Sequence, residues 1–220
     1  MRTDVIRRET FRYLGCGSEI PDEKTLEMAD RAIELLMGKT RPKSTFKTVE
    51  IIPGGGVVSL PDFSGEGDSP VIVSESLARV MSGCNGMLVF GATLGTEADM
   101  LVKRAAAENI AMGAVMQAAA AAYIEEYCDM IQAELDERFK AEGEPLGERF
   151  SPGYGDFALE YQRMLFRILD CHRQIGLALT DNYIMIPSKS VTAVIPIGGS
   201  CGKQLGCRCC EKTDCQYRKK

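Results

Sequence analysis

Residues 109–139 are strongly helical, with Ala114, then Ala118, Ala119, Ala120, Ala121 and Ala122, then Ile124 and Ile131 among good helix formers. A run of this length predicts one long helix, and its small side chains let a neighbouring backbone come close. Any fold open to the chain is built around that helix. At 220 residues the chain is long enough to bury a sizeable core.

Helical stripes and short β-branched runs surround it. Val5, Ile6, Phe11 and Leu14 predict an opening helix that ends at Gly15-Cys16-Gly17. Pro21-Asp22-Glu23 starts a second, whose stripe of Leu26, Met28, Ala32, Ile33, Leu35 and Leu36 runs to Gly38. Residues 44–52 and 57–60 read as a hairpin about Pro53-Gly54-Gly55-Gly56, residues 61–69 as a polar loop and residues 71–73 as a strand, followed by a helix through Leu77, Val80 and Met81. Residues 87–90 read as a buried strand leading into a turn at 91–95, after which Thr96 and Asp99 have the spacing of a variant capping box. A strand, a glycine turn and a helix N-terminus can also hold an anion, although capping is the plainer reading. Residues 140–148 form a loop, Asp156-Phe157 opens a helix through Leu159, Leu165, Ile168 and Leu169 to near Gly176, and residues 184–186 and 191–197 are late strands. No regular βαβ repeat appears. The expected class is α+β, a mixed or antiparallel sheet packed with several helices.

Charge and composition narrow the function. Lys and Arg number 26 against 31 Asp and Glu, a net charge of −5, the wrong sign for general attraction to phosphate backbones or anionic membranes. Neither nucleic acid nor membrane is expected as a partner. No apolar run approaches the roughly 18–20 residues of a spanning helix, and the first ten residues lack a signal peptide's apolar stretch. A cytoplasmic protein is expected. The single histidine, His172, excludes a zinc site with several histidines, and its plainer reading is an ordinary helix residue. Two phosphate motifs fail: Gly198 to Lys203 has the wrong glycine spacing and Gln204 where Ser or Thr would hold magnesium, and Gly153-Tyr154-Gly155-Asp156 lacks a third glycine and follows no strand.

Two segments carry chemistry. In Arg149-Phe150-Ser151-Pro152-Gly153-Tyr154-Gly155 a planar cation, a rigid proline, a glycine that admits close backbone approach and an aromatic ring suit a small polar ligand, and they also suit a plain Pro-Gly turn. The second is the tail. Cys207-x-x-Cys210 has chelate spacing, with Cys215 after four residues and Cys201 before by five, so Cys201, Cys207, Cys210 and Cys215 are candidate ligands of one metal centre and Cys209 is the spare. Structural zinc, a redox-active iron–sulfur cluster or dithiol, and an unligated tail all remain open. In a reducing compartment metal or redox chemistry precedes disulfides.

The segments downstream of the Arg149 loop extend the pattern: Arg149-x-x-Pro152-Gly153-Tyr154, Leu165-Phe166, Ile175-Gly176, Leu179-Thr180, Met185-x-Pro187 and Ser190-Val191, in that order. This grammar resembles the reactivation domain of cobalamin-dependent methionine synthase, and Arg12-Tyr13-Leu14-Gly15 and residues 90–95 extend the likeness to residues 1–197. The resemblance implies an S-adenosylmethionine-binding domain at residues 1–197 with a Cys-rich tail at 198–220. It implies a role in the reductive methylation of cob(II)alamin, with Arg149 on the methionyl carboxylate, Ser151 and Gly153 offering backbone contacts beside Pro152, and Tyr154 packing on the ligand. No general acid or base is implied, because the sulfonium is already a good leaving group. The chain departs from the longer proteins in three ways. It lacks an Asp-x-His-x-x-Gly corrinoid motif, it has Gly155 where they have proline, and it offers no assignable early acid or late tyrosine. Cobalamin is therefore expected on a partner, a methionine synthase or related corrinoid methyltransferase, with a low-potential electron donor. The alternative is a metal-binding or electron-transfer protein that reduces a corrinoid partner without S-adenosylmethionine.

Overall fold

Helix α1 (Thr3–Tyr13) and helix α2 (Glu23–Lys39) open the chain where the apolar stripes place them. The computed structural model describes residues 1–16, 21–62 and 69–198. The Asp22 carboxylate accepts from the Thr25 N–H at 2.7 Å and so caps α2. The next apolar run divides: β1 (Lys43–Glu50) belongs to one sheet, whereas β2 (Ile52–Gly54) pairs with β3 (Val57–Ser59), which pairs with β4 (Val71–Val73) in a second sheet. The strand expected over 44–52 is thus broken at Ile51, whose N–H turns to the Asn85 carbonyl. The hairpin itself forms, turning at Gly55 and Gly56, both with left-handed φ. A short helix α3 (Glu75–Val80) follows, capped by Ser74.

Strand β5 (Gly86–Thr93) is buried along nearly its whole length. It runs three residues past the expected Phe90, because Gly91 lies in the strand and makes no turn. A side chain there would come within 3.1 Å of Leu169 Cδ1. Helix α4 (Thr96–Glu108) starts from Gly95 at φ 86° without a side-chain cap. The expected Thr96–Asp99 capping box does not form, since the Asp99 carboxylate instead accepts from the Ser188 N–H at 2.9 Å and hydroxyl at 2.6 Å. Asn109 alone separates α4 from α5 (Ile110–Ala141), the long helix, and its side chain accepts from the Met112 N–H.

The helix expected from Asp156 is shorter and broken. After a 3-10 turn (Leu159–Tyr161) come α6 (Gln162–Leu169) and α7 (Cys171–Ile175), separated by Asp170 in the left-handed region at φ 48°. A small hairpin of β6 (Ala178–Leu179) and β7 (Met185–Ile186) precedes β8 (Ser190–Ile197). Sequence alone gave no sign of β6.

The main sheet has the order β1-β5-β8, antiparallel throughout, with Phe46, Phe90 and Ala193 in one cross-strand row. Alternation along β5 feeds two cores. Leu88, Phe90 and Ala92 face the helical layer of α1, α2, α4 and α5, while Met87 and Val89 join Leu77, Phe157, Leu165 and Leu169 on the other face. A strand covered on both sides reads as a continuous apolar run, as Met87-Leu88-Val89-Phe90 does. This is the α+β class expected, with the long helix at the centre of one layer.

Candidate functional site

Residues 146–150 continue the sheet along β8. Leu146 bridges Ile197, and Phe150 exchanges N–H···O bonds of 2.9 Å in both directions with Val194. Successive side chains of an extended segment point to opposite faces. Phe150 enters the core beside α6 and stacks on Phe157 with 5.9 Å between ring centroids, so Arg149 turns to α5.

One stripe of α5 receives the segment, its polar residues spaced four, three and four apart so that they share a face. Asp136 accepts from the Leu146 N–H at 2.9 Å, and Gln132 donates to the Gly147 carbonyl at 2.8 Å. Arg149 Nη1 donates to Gln132 Oε1 at 2.8 Å, and Nη2 reaches Asp129 at 2.7 Å and Glu125 at 3.3 Å. The cation's side chain is only 15% exposed, while Glu125 and Asp129 are 46% and 48% exposed. A largely covered guanidinium therefore sits beneath two carboxylates that still face water. Burial works against its charge, yet the field of Asp129 and Glu125 and the hydrogen bond to Asp129 outweigh that cost and hold its pKa above the ordinary value.

Beyond Arg149 the chain makes a tight turn. Ser151 accepts from the Tyr154 N–H at 3.2 Å, Pro152 is buried, and Gly153 takes φ 94°, which an L side chain rarely adopts. The Gly153 N–H donates to the Phe157 carbonyl at 2.7 Å, so the backbone contact expected from Gly153 is not an amide donor. Its Cα face is open, with only Leu159 Cδ1 within reach of an added Cβ, at 3.4 Å. The Tyr154 ring is 67% exposed at the apex.

The turn is clamped from a distance. The Asp156 carboxylate accepts from the Ser74 hydroxyl at 2.7 Å, the Glu75 N–H at 2.7 Å and the Ser76 N–H at 3.1 Å, taking up the N-terminal end of α3. The Ser74 hydroxyl, with Ser76 and Glu75, holds this carboxyl's pKa down to about 2. A carboxylate with a lowered folded-state pKa adds stability that is full above its ordinary value of 3.8 and is lost as the pH falls toward about 2. In Asp156→Asn, with only one acceptor oxygen, hydrogen exchange at the Glu75 and Ser76 amides should be faster at pH 7. Unchanged exchange at both amides would show that the clamp contributes nothing.

Of the residues singled out in the sequence, Arg149, Ser151, Pro152, Gly153 and Tyr154 share one turn between the sheet edge and α3. Cys201, Cys207, Cys210 and Cys215 lie outside the described residues. Among the described residues no group of His, Cys, Asp or Glu forms a metal site, and His172 is exposed on α7. Cys128 and Cys171 have their thiol pKa values pushed up to about 12, chiefly by burial, so both stay protonated at neutral pH. Sequence reasoning missed Glu125, Asp129 and Gln132. Their polar spacing on an otherwise alanine-rich helix was the one signal available. Two concavities of about 800 Å³ and 400 Å³ open elsewhere, the first beside Glu50, Asn85 and Glu144 and the second beside Gly55 and Arg79. Neither is lined by residues of the Arg149 turn, which stands at the surface. Among the described residues no helix is long and apolar enough to cross a membrane.

The family model described as vitamin B12 dependent methionine synthase, activation domain, matches residues 86–200. Among solved structures, the crystal structure of the MetH reactivation domain bound to AdoHcy is similar at a TM-score of 0.63 and 14% identity, over 94% of this chain and 78% of that one. At that identity the likeness is one of fold. No curated protein matches.

Proposed function

Since this chain belongs to the family of vitamin B12 dependent methionine synthase activation domains, we propose that it binds S-adenosylmethionine at the Arg149 turn and supports reactivation of cobalamin carried by a separate protein in the cytoplasm. The partner is a methionine synthase or related corrinoid methyltransferase, and a low-potential donor supplies the electron. In the chemistry served, one electron reduces cob(II)alamin to cob(I)alamin, which takes the sulfonium methyl and leaves methylcobalamin and S-adenosylhomocysteine.

The observation that carries this reading is the Arg149 turn itself. Arg149, held on α5 by Gln132, Asp129 and Glu125, is the cation with which an amino-acid carboxylate would pair, taking the place of one of those partners. Along the turn that follows, the face of Gly153 is open and Tyr154 is exposed. The clamp on Asp156 keeps the turn ready-formed, which lowers the ordering cost of binding. These residues bind and orient; none is assigned a proton transfer.

The spacing of Cys201, Cys207, Cys210 and Cys215 favours a second reading, in which zinc or an iron–sulfur cluster in the tail serves structure or electron delivery and the corrinoid is reduced without S-adenosylmethionine. One reconstitution separates the two. The protein is mixed anaerobically with a corrinoid methyltransferase holding cob(II)alamin and a low-potential reductant, with and without S-adenosylmethionine. Methylcobalamin, read in the visible spectrum, is expected only when this protein and S-adenosylmethionine are both present. Reduction of cobalt that needs this protein and its metal but not S-adenosylmethionine would overturn the first reading in favour of the second.

A further inference from the structure

The Arg149 cluster carries more negative than positive charge. Glu125 and Asp129 both lie on the Arg149 Nη2, at 3.3 and 2.7 Å, while Gln132 takes Nη1 and adds no charge. The arginine is mostly covered, and the two carboxylates are about half exposed, so a molecule arriving at the turn meets the acids before the cation. A ligand with a carboxylate alone is repelled there. One that also brings positive charge is attracted, and more strongly for each further cation.

Resting on the ligand proposed above, we infer that Glu125 and Asp129 are specificity determinants that make the site prefer S-adenosylmethionine to S-adenosylhomocysteine. The two molecules share the adenosine and the amino-acid head, and they differ by one methyl group and the charge it places on sulfur. Contacts common to both cannot separate them. A field set by two carboxylates against one guanidinium can, because it acts on the sulfonium and has no counterpart charge in the neutral thioether. Methyl transfer then abolishes the charge that held the ligand, so the product is released more easily than the substrate. Were the acids there only to position Arg149, their loss would weaken both ligands alike through the shared carboxylate.

The test is a ratio of dissociation constants, S-adenosylhomocysteine over S-adenosylmethionine, measured by calorimetry on the full chain. In the Glu125→Gln, Asp129→Asn double variant the ratio is expected to fall about threefold or more toward unity, the scale of one or two partly screened charges at a few ångströms. In the unaltered protein the ratio should also shrink as salt is raised, a readout that needs no variant and survives any folding defect in one. A ratio that stays constant in both experiments, with the two affinities moving together, overturns the inference and leaves the ligand assignment standing. If the unaltered protein binds neither ligand, the ligand assignment itself fails and takes the inference with it.

Discussion

Arg149→Ala is expected to weaken S-adenosylmethionine binding by about 1.5–3 kcal/mol, roughly ten- to a hundredfold, the range for a hydrogen bond to a charged group. The loss has two parts. The cation proposed to pair with the methionyl carboxylate disappears, and Glu125 and Asp129, no longer paired with it, repel that carboxylate. Arg149→Lys restores a cation but not the planar pair of donors, so recovery there should be partial. Titration calorimetry on the three proteins checks this, with circular dichroism confirming that the variants fold. An affinity for Arg149→Ala equal to that of the native protein would remove Arg149 from the site.

The largest effect on stability is expected at Gly113, where two opposing terms can be weighed. Alanine is the better helix former by about 1 kcal/mol, and Gly113 lies inside α5. An added Cβ would, however, sit 2.6 Å from Ala106 Cα, 2.7 Å from its Cβ and 3.0 Å from its nitrogen, all on α4. Backbone cannot rotate away as a side chain can, and α4 and α5 are joined through Asn109 alone, so neither helix can draw back without unmaking the connection. Overpacking typically costs about 1–3 kcal/mol and here falls on main chain, so Gly113→Ala should be destabilised by about 2 kcal/mol net, despite the propensity gain. Gly38 on α2 is the control, because nothing lies within 4 Å of a Cβ there. Denaturant unfolding that finds both variants equally stable would refute the close approach of α4 to α5.

Local signals in the sequence were sufficient for the frame. Asp22 and Asn109 begin helices because their side chains reach N–H groups three residues on, and such signals are complete within a few residues. The errors arose where the partner lies far along the chain. Asp99 has the spacing of a cap but is taken by Ser188, and Asp156 seemed to open its own helix while in fact holding the start of α3. Gly91 looked like a turn because nothing in sequence shows Leu169 passing 3.1 Å from where its side chain would be. At the site the same division holds. The Arg149-x-x-Pro152-Gly153-Tyr154 motif was legible as a turn with a cation, but the partners of that cation are set by packing of the turn on α5. The left-handed Asp170 that splits α6 from α7 left no mark a reader could use.

The residues that flank β8 also bear on how the protein behaves in a crowded solution. In an antiparallel strand alternate residues turn both their amide and carbonyl outward, and in the second half of β8 these are Val194 and Pro196. Val194 is fully engaged by Phe150, and the carbonyl of Pro196 is taken by the Gly147 N–H, while proline has no N–H to leave exposed. Over the second half of β8 that border of the sheet is thus already occupied by its own chain, which leaves a second molecule no strand to pair with there.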